Sequence, residues 1–83
     1  MSLERIRQAK KRTIGSNQTL KMLQQSLAKA VYVARDAEKR VTQPIVDLAA
    51  KSDTPLLWVD SMKELGEACG IDVGAAAATI LED

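Results

Sequence analysis

Two short apolar runs, Ala30-Val31-Tyr32-Val33-Ala34 and Pro55-Leu56-Leu57-Trp58-Val59, constrain the fold of this chain more than any other feature. Neither alternates polar with apolar residues, so each reads as a strand buried on both faces, which needs helices packed above and below. Helical stripes surround them. Leu3, Ile6, Ala9 and Lys10 predict an amphipathic helix over about residues 3–12, broken by Thr13-Ile14-Gly15. A second helix is expected from Ser16 or Asn17 to about Ser26, with Leu20, Leu23 and Leu27 facing inward. Val41, Ile45, Leu48 and Ala49 mark a third, with Pro44 best placed in its first turn; residues 38–42 suit either that helix or a separate turn. Ser61-Met62-Lys63-Glu64 has the form of a capping box, opening a helix that carries Met62, Leu65, Ala68 and Cys69 and stops at Gly70. The alanines after Gly74 favour helix by propensity, but small residues also suit a strand pressed between helices. The alternation of elements therefore predicts a last strand over about 75–81 and a three-layer α/β/α sandwich.

Composition narrows what such a sandwich can do. At 83 residues the chain is read as one domain, 1–83, with little surplus stability. Hydrophobic residues make up 46% but aromatics only 2%, so the core must be built from Val, Ile, Leu, Met and Ala. No apolar run approaches the roughly 20 residues that cross a bilayer. Met1-Ser2-Leu3-Glu4-Arg5 opens a charged segment rather than a signal peptide, and lone Cys69 cannot form an internal disulfide; a cytoplasmic setting and no membrane partner are expected. Without histidine the commonest general base is missing, and no CxxC or His cluster supports a metal. Cys69 on an apolar helix face reads as a buried thiol, and Asp36, Asp60 and Asp72 read as solvated or capping carboxylates. No catalysis, cofactor or metal is expected.

Charge is unevenly distributed. Residues 1–30 hold seven basic side chains against Glu4 alone, whereas residues 31–83 hold five basic and ten acidic ones. The basic run Lys10-Lys11-Arg12 leads into Gly15-Ser16-Asn17-Gln18-Thr19-Leu20-Lys21, which looks like a tight turn feeding a helix N-terminus. Such an end offers free N–H groups and the positive end of the helix dipole, while carboxamides can read base edges. Asn17 and Lys21 are an i, i+4 pair on one face. The same residues also suit an ordinary helix start with Ser16 or Asn17 as cap. Gly70-Ile71-Asp72-Val73-Gly74 brackets two β-branched residues with glycines. One of them is expected to plug the sheet, and the pair also suits an apolar loop tip against an unstacked base.

On these residues the chain resembles the kink-turn-binding ribosomal protein family of archaeal large-subunit protein seven-Ae and eukaryotic protein thirty-e, most of all its small bacterial members of YbxF type. The stretches that carry the resemblance are Ile14 to Lys21, Val31 to Ala37 and Ser61 to Gly74, in an order that spans about residues 5–81. The resemblance implies an α/β/α sandwich around a small mixed four-stranded sheet. It implies a monomer that binds structured RNA, namely kink-turns in ribosomal RNA or riboswitches, with the ribosome as a further partner. By position, Gly15, Ser16, Asn17, Gln18 and Lys21 would meet the sheared G·A pairs. Ile71, Asp72 and Val73 would cover the bulge, with Arg35 and Lys63 flanking. Gln18 stands where many relatives have glutamate, Gln24 and Gln25 where a basic residue is common, and Gly74 where archaeal members have proline. Moderate, strongly salt-dependent affinity is the expectation. The alternatives are a ribosome-associated assembly or protein-interaction factor without tight kink-turn recognition and, more distantly, a small-ligand role for the Gly15 helix end.

Overall fold

The computed structural model describes residues 3–83; Met1 and Ser2, the start of the charged opening segment, lie outside the described residues. The elements are α1 (Glu4–Gln8), β1 (Lys11–Ile14), α2 (Ser16–Gln24), β2 (Ala30–Ala34), α3 (Lys39–Lys51), β3 (Leu56–Val59), α4 (Met62–Ala68) and β4 (Ala77–Glu82). The strands form one mixed sheet in the order β1-β4-β2-β3, with β4 antiparallel to both β1 and β2. β2 and β3 are parallel, a pairing that needs a crossover, which α3 supplies. The predicted α/β sandwich with a four-stranded mixed sheet is the architecture found.

Side-chain alternation along the central strands assigns the layers. Val31 and Val33 of β2 and Ala77 of β4 pack with Leu23 of α2 and with Ile45 and Ala49 of α3. Ala30, Tyr32 and Ala34 of β2, with Ala78 and Ile80 of β4, pack on the opposite side with Ile6 of α1, with Leu65 and Ala68 of α4 and with Cys69 at its C-cap. All five residues of β2 are fully buried, as its apolar run requires. The alanines of β4 form a strand because they sit beneath helices on both faces, where small side chains admit close packing. Thr79 and Thr19 bury their hydroxyls as a pair 2.9 Å apart, which satisfies both in an otherwise apolar layer.

The first predicted helix is corrected by the structure. It stops at Gln8, and Lys11–Ile14 is an edge strand with a register shift between Lys11 and Arg12. Lys10 to Arg12 have good helix propensity, but a helix there would leave the outer edge of β4 unpaired, and tertiary pairing outweighs a few tenths of a kcal/mol of propensity. Arg12 has a second reason to be where it is. Its guanidinium donates to the carbonyls of Ile6 (2.9 Å), Arg7 (3.2 Å) and Cys69 (2.9 Å), closing the C-terminal ends of α1 and α4. In α3, residues 39–42 belong to the helix, and Pro44 lies inside it rather than in its first turn. Pro44 is exposed, so the one intrahelical bond it forfeits faces water.

Candidate nucleic-acid interface

Because β4 runs against β1 and β2, while β3 follows β2, the C-terminal ends of β1, β2 and β3 share one sheet edge with the start of β4. Apart from the basic run at Lys10 to Arg12, the segments singled out in the sequence leave or enter the sheet there. Gly15 follows β1, Arg35 follows β2, Lys63 lies just beyond β3 in the first turn of α4, and residues 71–76 lead into β4. Gly15 N–H donates to the Ala77 carbonyl at 2.8 Å. Val73 precedes Ala77 by four residues, so the loop tip lies within about 14 Å of the residue to which Gly15 is bonded. The edge thus brings Gly15, Ser16, Asn17, Gln18, Lys21, Arg35, Lys63, Ile71, Asp72 and Val73 to one end of the molecule.

The start of α2 differs from an ordinary capped helix. Gly15 occupies the N-cap position at φ 106°, ψ 154°, a conformation essentially reserved for glycine, and no side chain caps the helix. Neither Ser16 nor Asn17 is the cap that the sequence allowed. Asn17, Gln18 and Lys21 are exposed, leaving two carboxamides in the first turn of an open helix mouth and an ammonium one turn beyond Asn17. Only open space surrounds the position a Gly15 side chain would occupy, so glycine is required there by backbone angle and not by crowding. Inward, α2 uses Thr19, Met22 and Leu23; Leu27, expected inside, is 52% exposed beyond the helix end.

The start of α4 is, by contrast, doubly capped. Ser61 Oγ accepts from Glu64 N–H at 3.1 Å, the predicted first half of a capping box, and Asp36 Oδ1 accepts from Met62 N–H at 2.8 Å. Asp36 therefore fills the capping role open to it, tying the loop after β2 to α4. α4 in turn holds the loop before β4. Met62 C=O accepts from Ala75 N–H at 3.0 Å, and Ile71 N–H donates to Gly66 C=O at 3.0 Å. A Cβ on Gly66 would lie 2.0 Å from the Val73 carbonyl oxygen, so the loop rests directly on the glycine backbone. Ile71 is half-buried against the α1/α4 core, whereas Val73 is 69% exposed. Of the two β-branched residues, then, Ile71 is the plug and Val73 the apolar tip, with exposed Asp72 between them.

Electrostatics at this edge are milder than the sequence implied. Four residues of strand separate Lys10 from Gly15, which puts Lys10 and Lys11 at the far end of β1, roughly 15 Å away. Arg12 is engaged internally. Arg35 pairs with Asp60 at 3.7 Å, and Arg40 with Glu38 at 3.2 Å. Among the described residues, Lys21, Lys39 and Lys63 are the lysines at this edge without an ion pair. Cys69 is buried beneath α4, and burial raises its pKa against the partial opposition of Arg12, so it is a structural thiol as expected. No group of His, Cys, Asp or Glu suited to a metal occurs among the described residues, and no helix there is long and apolar enough to cross a membrane.

Two residues that hold this edge were not singled out in the sequence, Trp58 beneath Arg35 and Gly66 beneath the loop, while Arg12, read there as part of a basic run, is a clamp at the far end of α4. Gly66 had a legible signal, since an isolated glycine inside a helical stripe costs about 1 kcal/mol and usually marks close backbone approach. Trp58 had none.

An open helix mouth and an apolar loop tip at the carboxyl edge of a mixed sheet define a small α/β/α module of the kind that recognises ligands through loops on a rigid sandwich. The family model for the ribosomal protein L7Ae/L30e/S12e/Gadd45 family matches residues 2–83, and the chain belongs to that family. It is 48% identical over 80 residues to an RNA-binding protein of Halalkalibacterium halodurans, covering 96% of this chain and 98% of that one. It is 44% identical over 81 residues to RNA-binding protein YbxF of Geobacillus stearothermophilus, covering 98% and 99%. Among solved structures, the 15.5kD RNA binding protein of Giardia lamblia superposes with a TM-score of 0.88 at 24% identity, over 98% of this chain and 71% of that one. At that identity the likeness is one of fold.

Proposed function

We propose that this chain is a non-catalytic RNA-binding protein that recognises kink-turns in ribosomal or regulatory RNA and stabilises their bent form. The observation that carries the reading is the uncapped start of α2, with exposed Asn17, Gln18 and Lys21, beside the exposed Val73 tip on the same sheet edge. The names of its full-length relatives, RNA-binding proteins at 44–48% identity, support the choice of ligand.

Sheared G·A pairs suit this geometry. A regular A-form major groove is too deep and narrow for side chains, so a helix start enters only where pairing is distorted. There the carboxamides of Asn17 and Gln18 meet guanine edges, Gly15 and Ser16 admit close backbone approach, and Lys21 lies against a phosphate. Val73 and Asp72 cover the bulge, with Arg35 and Lys63 alongside; Ile71 supports the loop from beneath. Binding selects the kinked RNA from its equilibrium with extended forms. Three unpaired lysines give a salt dependence shallower than the basic N-terminal third suggested, with a log–log slope of roughly −2 to −3.

Titration of a kink-turn RNA, and of the same RNA with its G·A pairs replaced by Watson–Crick pairs, tests the reading. Loss of two base-edge contacts weakens binding at least about tenfold. Equal affinity for both RNAs overturns specific recognition and leaves the chain an assembly or protein-interaction factor on the same fold.

A further inference from the structure

α2 presents Asn17, Gln18 and Lys21 although no side chain caps it, so its aim has to be set by something other than a cap. Two hydrogen bonds to β4 do this. Gly15 N–H donates to the Ala77 carbonyl at 2.8 Å, and one turn later Thr19 Oγ1 lies 2.9 Å from Thr79 Oγ1. The spacings match: Gly15 to Thr19 covers about 6 Å of helix, and Ala77 to Thr79 about 7 Å of strand. The start of α2 is therefore laid along β4 and held at two points. Both threonines are fully buried, and the other buried side chains of the helix, Met22 and Leu23, are apolar. Apolar packing has no preferred direction. Among the described residues, the hydroxyl pair is thus the directional side-chain contact that resists rolling of α2 about its axis.

We infer that the Thr19–Thr79 pair is a positioning contact for RNA recognition, fixing the roll of α2 and with it the aim of Asn17, Gln18 and Lys21. The inference rests on the kink-turn reading above. Asn17 and Lys21 each stand two residues from Thr19, about 200° of helical turn, so they project from the face opposite the pair. A roll of about 10° swings a side-chain head lying about 6 Å from the axis through roughly 1 Å. That exceeds the roughly 0.5 Å within which a preorganised polar site has to be held, and it moves Asn17 and Lys21 together. Stability alone does not call for the pair. Replacing both partners of a buried hydrogen bond by apolar groups of the same shape is close to neutral for folding, whereas a satisfied buried pair specifies one arrangement.

The decisive variant combines Thr19→Val with Thr79→Val in the full chain. Its thermal melt should match or exceed the parent's. Affinity for a kink-turn RNA should fall about tenfold, while affinity for the RNA with its G·A pairs replaced changes less than about twofold. Residual dipolar couplings of the α2 Cα–Hα bonds, measured without RNA, report the roll directly. In the parent they should fit the same alignment as the sheet, and in the double variant they should lose that fit. Thr79→Ser keeps the hydroxyl and should keep the parent's affinity and couplings. So should Thr13→Val, since Thr13 lies directly across the ladder from Thr79 and its buried hydroxyl bonds to nothing among the described residues. If the double variant does not fold, Thr79→Val against Thr79→Ser carries the test. Unchanged couplings in the double variant, parent affinity despite altered couplings, or an equal loss in Thr13→Val overturns the inference. A parent that binds both RNAs alike sinks kink-turn recognition instead, and the couplings then judge the pin alone.

Discussion

Replacing Gly66 by alanine places a methyl carbon 2.0 Å from the Val73 carbonyl oxygen, 3.0 Å from the Val73 carbonyl carbon and 3.2 Å from Gly74 Cα. An ordinary carbon–oxygen contact is about 3.4 Å, so loop and helix have to separate by roughly 1.4 Å. All three obstructing atoms are backbone, and no rotamer change relieves them. The loop is held on both sides of the contact, by Ile71 N–H on the Gly66 carbonyl and by Ala75 N–H on the Met62 carbonyl. Moving it therefore strains two hydrogen bonds and unseats half-buried Ile71. Overpacking of this kind costs about 1–3 kcal/mol, which in a domain of this size lowers Tm by roughly 5–20 °C. A thermal melt followed by circular dichroism reads the first effect. RNA titration of the folded fraction reads the second, a loss of affinity comparable to that of Val73→Gly. The two should be non-additive in a double-mutant cycle, because each removes the same tip from its place. A Tm within 2 °C of the parent would refute the steric argument, and additive losses would refute the claim that Gly66 acts through Val73.

Asn17→Ala should weaken kink-turn binding several-fold and leave the thermal melt unchanged, because Asn17 caps nothing; a large fall in Tm would make it a structural residue after all. Arg12→Met should destabilise the fold by about 1.5–3 kcal/mol in urea melts, through loss of charge-assisted bonds to three carbonyls, without altering the salt slope of RNA binding. Stability should decline in alkaline buffer. Burial raises the pKa of Cys69 in the fold, so the neutral thiol is favoured there; the contribution is complete below the ordinary thiol range and is lost as pH rises through the raised folded value. Urea midpoints across pH 7–10.5 should show this decline, less steeply for Cys69→Ala, with buried Tyr32, whose pKa burial also raises, adding to it at the upper end.

The elements legible in the sequence were those whose residues face the same way in any sandwich. β2 is apolar throughout because both its faces are covered, and that pattern is visible without coordinates. The Ser61 cap and the Gly70 stop of α4 are local: each depends on atoms within a turn of itself. The candidate site was legible in part. Asn17, Gln18 and Lys21 lie close in sequence, so a helix start was enough to put them on one surface, and a glycine-bracketed loop was enough to suggest a tip.

What only the tertiary structure decided is everything that depends on partners far along the chain. Lys11–Ile14 became a strand because β4, more than 60 residues later, supplied hydrogen bonds that a helix there would have left unmade. That extension carried Lys10 and Lys11 away from Gly15 and turned Arg12 inward. Whether Ile71 or Val73 faced solvent was settled by the core under α4, and whether α2 was capped by the φ of Gly15. Propensity and periodicity are properties of neighbours within a few residues, so they determine which segments are helices or strands. Which side chains meet at one edge, and which charges remain unpaired there, follows from the order of strands in the sheet.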